Sequence, residues 1–167
     1  MPILDEHTLD FISHSPAQTH RFGVRLGLLL RAGDLVCLEG ELGTGKTCLA
    51  QGIGEGIGVV EPITSPSFTL IAEHRPPAPA PTLYHIDLYR LDQAEDEARA
   101  LGLEEYLWRD GVCLIEWADR IQPGLPAERL WITLRHLDIS KRGVVMKAEG
   151  PRYDELLREF RKAAFGV

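Results

Sequence analysis

The segment Gly40-Glu41-Leu42-Gly43-Thr44-Gly45-Lys46-Thr47 satisfies the pattern G-x-x-x-x-G-K-[ST] without a mismatch. Each residue type has a physical reason to be there. Glycines let the backbone turn so that successive N–H groups face a row of phosphates. A helix starting near Lys46 adds its positive dipole end. Lys46 can reach the β- and γ-phosphates as a point charge, and the Thr47 hydroxyl can ligate magnesium. Glu41, Leu42, Gly43, Thr44, Gly45, Lys46, Thr47 and Cys48 are therefore the expected contacts to a nucleoside triphosphate. A chance glycine-rich turn of this pattern arises roughly once in a few hundred chains of this length. A buried strand before it and a helix after it make chance a poorer explanation still.

Two acids extend the site. Glu116 closes the apolar run Val112-Cys113-Leu114-Ile115, the Walker-B position for a second magnesium ligand, with Glu where Asp is usual. Asp87 lies in His85-Ile86-Asp87-Leu88-Tyr89-Arg90, on a strand face shared with His85 and Tyr89. A carboxylate there can orient or activate an attacking water, bind magnesium through water, or simply cap the turn that follows. Lys46, Asp87 and Glu116 are the candidate catalytic residues, and Thr47 and Glu116 the candidate metal ligands. Tyr84 and Tyr89 read as packing residues, and His85 as a polar surface or core histidine. No N-K-x-D-like guanine reader follows, so ATP is preferred over GTP.

The elements that must position these groups alternate early. Ser15-Pro16 is an N-cap with proline at the first helical position, opening a helix expected to run to about Arg31. Leu35 to Leu38 reads as a strand buried on both faces, and Lys46 to about Ile57 as a helix. Ser67 to Glu73, Thr82 to Tyr89 and Val112 to Trp117 read as strands, and acidic Gln93 to Tyr106 as a helix. The prolines between Arg75 and Pro81 mark a loop, because they cannot join a sheet ladder. Arg129 to His136 and Val144 to Ala148 look like a closing antiparallel pair. Pro151 begins a terminal helix with Tyr153, Leu156, Leu157 and Phe160 on one side; its Arg152, Arg158, Arg161 and Lys162 read as a solvated face. The expected fold is α/β: a P-loop NTPase-like three-layer sandwich whose mixed sheet has a parallel centre and antiparallel edge strands.

Bulk properties narrow the function classes. A chain of 167 residues suits a single domain with one core. A formal charge of −7 disfavours autonomous nucleic-acid binding, which needs clustered Lys and Arg. Cys37, Cys48 and Cys113 read as buried thiols in a reducing compartment, since no spacing suits zinc. The first residues lack a signal peptide's basic start and apolar core, and no apolar stretch approaches the ~20 residues of a membrane span. A cytoplasmic protein without membrane association is expected.

The segments resemble the TsaE (YjeE) family of bacterial P-loop ATPases. The resemblance rests on Leu38 to Thr47, Ser65-Pro66-Ser67-Phe68-Thr69-Leu70, His85 to Leu91, Leu101 to Tyr106 and Leu114-Ile115-Glu116-Trp117, and spans about Ser15 to Arg135. Ser67 stands where the family commonly has threonine, which keeps the hydroxyl. The resemblance implies an ATP-hydrolysing accessory subunit in making threonylcarbamoyladenosine at position 37 of tRNAs that read codons starting with A. It implies TsaD and TsaB as partners, contact with tRNA only through that complex, and ATP/ADP with Mg2+ as ligands. It also implies a switch-like role near the γ-phosphate for the Ser-Pro segment. Two readings of the residues stay open beside it: a small-molecule P-loop kinase, and a non-catalytic nucleotide-gated interaction module.

Overall fold

A computed structural model describes residues 3–64, 71–89, 102, 105, 107, 110–121 and 124–167. In chain order the elements are β1 (Ile3–Leu4), β2 (Thr8–Ser13), α1 (Pro16–Gly27), β3 (Leu35–Glu39), α2 (Lys46–Ile57) and β4 (Ile71–His74). They continue with β5 (Thr82–Asp87), β6 (Gly111–Glu116), a 3-10 turn (Ala118–Arg120), β7 (Arg129–His136), β8 (Arg142–Glu149) and α3 (Pro151–Phe165). The strands form one sheet in the order β1-β2-β8-β7-β3-β6-β5-β4. β7, β3, β6 and β5 run parallel, while β1, β2, β8 and β4 join antiparallel. This is the expected mixed sheet with a parallel centre and antiparallel edges.

The central strands are apolar on both sides because both sides are covered. Val36, Leu38, Leu83, Val112 and Leu114 meet the three helices in one core, and Leu35, Cys37, Tyr84, Ile86, Cys113 and Ile115 line the other. The second core is closed by Ala118, Ile121 and Leu125 around the 3-10 turn, with Leu107 against it. The helix expected over Gln93 to Tyr106 lies outside the described residues apart from Gly102 and Glu105. Ser65 to Leu70, Arg90 and Leu91 lie outside them too. Among the described residues no helix is long and apolar enough to cross a membrane.

Helix α1 starts as expected, with Ser15 Oγ accepting from Gln18 N and Pro16 in the first turn. It ends at Gly27 and not near Arg31, and Leu28 beyond it is 69% exposed. The apolar run Leu28-Leu29-Leu30 therefore lies beyond the helix, with Leu30 returning to the core and Leu29 packed half-buried against it. Strand β2 carries no expectation from sequence. It inserts at the edge beside β8, pairing Thr8 with Lys147 through Ser13 with Arg142. Phe11 on β2 packs edge-on against Phe22 of α1 and Phe165 of α3, with ring centroids 4.8 and 5.1 Å apart.

Arg152 departs from the solvated face expected of α3. Its guanidinium forks onto Asp34, with Nε donating to Oδ1 at 3.0 Å and Nη2 to Oδ2 at 2.8 Å, and Nη2 also reaches the Leu29 carbonyl. Asp34 is 4% exposed, so its charge needs that partner. Arg152→Ala leaves Asp34 with the Arg31 N–H and no counter-charge. It is expected to lower unfolding free energy by about 3 kcal/mol in urea titration, whereas Arg158→Ala should change it by less than about 0.5 kcal/mol.

Candidate functional site

β3, β5 and β6 end together at the carboxyl edge of the parallel centre, and the phosphate loop leaves from β3. The loop is held in its curve by two glycines in particular. Gly45 has φ 103° at the N-cap of α2, a left-handed conformation that side chains disfavour. A Cβ on Gly40 would meet the Leu134 carbonyl oxygen at 2.5 Å, so only glycine lets the loop lie against β7. Two side chains from the β7–β8 pair brace it: His136 Nε2 contacts the Leu42 carbonyl at 3.2 Å, and Arg142 Nη2 donates to the Gly43 carbonyl at 3.3 Å.

Lys46 is the first residue of α2, as the pattern required. Its Nζ lies inside the loop, donating to the carbonyls of Gly40 and, at 2.8 Å, Glu41. Burial pushes its ammonium below the usual lysine range, with the Glu116 charge the first to oppose that shift. Thr44 Oγ1 donates to the Glu41 carbonyl within the loop, and Thr47 Oγ1 at the start of α2 lies 3.3 Å from Glu116 Oε1. Cys48 is one residue further into the helix, its thiol on the Pro16 carbonyl at 3.2 Å, which ties α1 to the loop. Cys37 and Cys113 are buried in the second core, and burial pushes the Cys113 thiol up to about 12.

The two acids end neighbouring strands. β5 and β6 are parallel and in register, pairing Asp87 with Glu116, so the carboxylates end adjacent strands on one sheet face. Glu116 is 2% exposed and bridges two elements, Thr47 on α2 and His85 on β5. Asp87 Oδ1 accepts from Tyr89 N at 3.0 Å, so it caps the local turn as well as standing beside Glu116.

Residue type and spacing gave no catalytic or ligand role to three groups here, His85, Trp117 and Tyr89. His85 is fully buried with Nε2 2.5 Å from Glu116 Oε2, which decides between the surface and core readings. Trp117, directly after Glu116, has φ 62°, the one positive φ of a non-glycine among the described residues. Such strain concentrates at functional sites. Its ring centroid lies 4.1 Å from Lys46 Nζ and 4.9 Å from that of the tilted Tyr89 ring, with the Arg120 guanidinium 5.6 Å away. Tyr89 is accordingly 42% exposed, part of the site's rim. The resemblance contained Glu116-Trp117 as a signal; the strained backbone was not legible.

Beside the loop a cleft of about 420 Å³ opens between Glu39, Gly40, Thr44, Trp117, Asp119 and Arg135. It lies within the range of small-ligand pockets. Thr47 and Glu116 supply hard oxygen donors of the kind magnesium takes, with Asp87 alongside. Among the described residues no three His, Cys, Asp or Glu side chains converge as a metal cage. A magnesium held jointly with phosphates and waters does not need one. The proline-rich loop before β5 sits at the opposite end of the sheet, where Pro79 to Thr82 line a pocket with Leu30, Arg31 and Asp110. It cannot close over the phosphates as a kinase lid does.

Comparison with known proteins agrees with this geometry. The family model described as "Threonylcarbamoyl adenosine biosynthesis protein TsaE" matches residues 13–144. The tRNA threonylcarbamoyladenosine biosynthesis protein TsaE of Bacillus subtilis (strain 168) is 39% identical over 145 residues, covering 87% of this chain and 89% of its own. The protein of the same name from Treponema pallidum (strain Nichols) is 41% identical over 135 residues, 81% of this chain and 97% of its own. Among solved structures, the crystal structure of Bacillus YdiB superposes with a TM-score of 0.78 at 34% identity, covering 98% of this chain and 97% of that one.

Proposed function

The chain belongs to the TsaE family of threonylcarbamoyl adenosine biosynthesis, and on that premise we propose that it is its magnesium-dependent ATPase subunit. The observation that carries the reading is the convergence of Lys46, Thr47, Asp87 and Glu116 at one edge of the sheet. Lys46 exchanges the loop carbonyls for phosphate oxygens, and the first-turn N–H groups of α2 share that charge. Thr47 and Glu116 would hold magnesium, which would supply positive charge to the phosphate oxygens. Asp87 orients the attacking water and receives its proton. The product phosphates remain on the loop, so release of ADP offers a point at which a partner complex can act.

In this reading TsaD and TsaB are the partners, in the cytoplasm, and the tRNA touches this subunit only through them. The net charge of −7 is consistent with leaving nucleic acid to another chain. Among the described residues, the proline-rich loop offers the kinase alternative no lid, since it lies at the far end of the sheet. The test is reconstitution of the purified chain with TsaB, TsaD and tRNA. ATP hydrolysis should require Mg2+ and rise in the complex, and modified nucleoside should accumulate over multiple turnovers only with hydrolysable ATP. A chain that neither hydrolyses ATP nor binds the TsaB–TsaD complex sinks the proposal.

A further inference from the structure

We propose that His85 is the positioning residue of the magnesium ligand Glu116, an inference that rests on the ATPase reading above. Glu116 presents its two oxygens in different directions. Oε1 faces Thr47 Oγ1 at 3.3 Å, while Oε2 is taken by His85 Nε2 at 2.5 Å. His85 lies two residues before Asp87 on β5, opposite Leu114, and so approaches Glu116 along the same sheet face. Neither side chain of the pair has more than 2% exposure. With Glu116 ionised, the ring donates from Nε2 and holds one carboxylate oxygen, leaving the other for the metal.

His85 Nδ1 is buried without a hydrogen-bond partner among the described residues, and the contact its ring makes is the one from Nε2 to Glu116. The histidine–carboxylate pairs His7–Asp154, His20–Glu55 and His74–Glu61 differ, each having one side chain more than half exposed. An imidazole can orient the carboxylate as a neutral donor, whereas Lys or Arg would bring a permanent cation beside the metal.

The test uses Mn2+ as a probe of the magnesium site, with saturating ADP, by electron paramagnetic resonance of the free ion on the full chain. His85→Leu should weaken Mn2+ affinity by about tenfold or more, with ADP affinity in the absence of divalent metal unchanged by equilibrium dialysis. His85→Gln, whose amide nitrogen can stand at the Nε2 position, should recover most of the loss. Mn2+ binding by His85→Leu equal to wild type, or no recovery in His85→Gln, overturns the proposal. Glu116→Gln separates the two levels. If it binds Mn2+ as wild type does, the magnesium-ligand reading falls and His85's role with it; if it loses Mn2+ while His85→Leu does not, only the role of His85 falls. Should His85→Leu fail to fold, the wild-type protein still decides. Its His85 Nε2–H proton should shift in the NMR spectrum when Mg2+ joins the ADP complex, and an unmoved resonance counts against the assignment.

Discussion

Replacing Asp87 with asparagine is expected to lower ATP turnover by about two to three orders of magnitude, on the scale of one general base. ATP affinity should stay within a few-fold of wild type. The substitution preserves size, and the amide oxygen can still accept the Tyr89 N–H that Asp87 Oδ1 now takes at 3.0 Å. The turn after β5 therefore survives and only the charge is removed. Phosphate binding is organised elsewhere, by the loop backbone, Lys46 and the start of α2, which explains the retained affinity. Single-turnover hydrolysis in the TsaB–TsaD complex, with ATP affinity by equilibrium dialysis, separates the two quantities. Unchanged hydrolysis would return Asp87 to a turn cap, and the non-catalytic, nucleotide-gated reading would then stand.

A loss of stability as large as that of Arg152→Ala is expected at Gly52. Alanine in a helix interior normally gains about 1 kcal/mol over glycine, but here the sign reverses. Gly23 and Gly27 of α1 face Gly52 and Gly56 of α2, and the two backbones touch. A Cβ on Gly52 would sit 2.2 Å from the His20 carbonyl oxygen, an atom of the neighbouring helix backbone that cannot rotate away. The helices must separate along their whole contact, at a net cost of about 3 kcal/mol. Because Cys48 and Pro16 join the same helices beside the loop, nucleotide affinity should fall as well. Gly124, with nothing within 4 Å of its added Cβ and no positive φ, is the control. Denaturant unfolding that ranks Gly52→Ala with Gly124→Ala would remove the close-contact argument.

What could be read without coordinates was local. The phosphate loop and the bounds of α2 from Lys46 to Ile57 follow from one uninterrupted pattern, in which glycines, lysine and hydroxyl each answer a nearby need. Strands β3 and β6 were legible as short runs apolar on both faces, and α3 from Pro151 and its apolar side. The face shared by His85 and Asp87 followed from alternation alone.

The remainder depended on contacts between distant segments. The end of α1 was missed because Leu28-Leu29-Leu30 carries a helix's composition, while what stops the helix is the return of the chain to β3 through Asp34 and Arg152. Strand β2 alternates over only six residues with no motif beside it, and its partner β8 lies at the other end of the chain. Residue type placed His85 between surface and core; only the register of β5 against β6 brings its ring to Glu116. The sequence by itself determined that a triphosphate loop exists, which acids accompany it and which family it resembles, because those signals lie in short spans of adjacent residues. Tertiary structure alone decided how the acids are held and how closely the helices beneath the loop approach, because strand register and helix packing are set by atoms far apart in the chain.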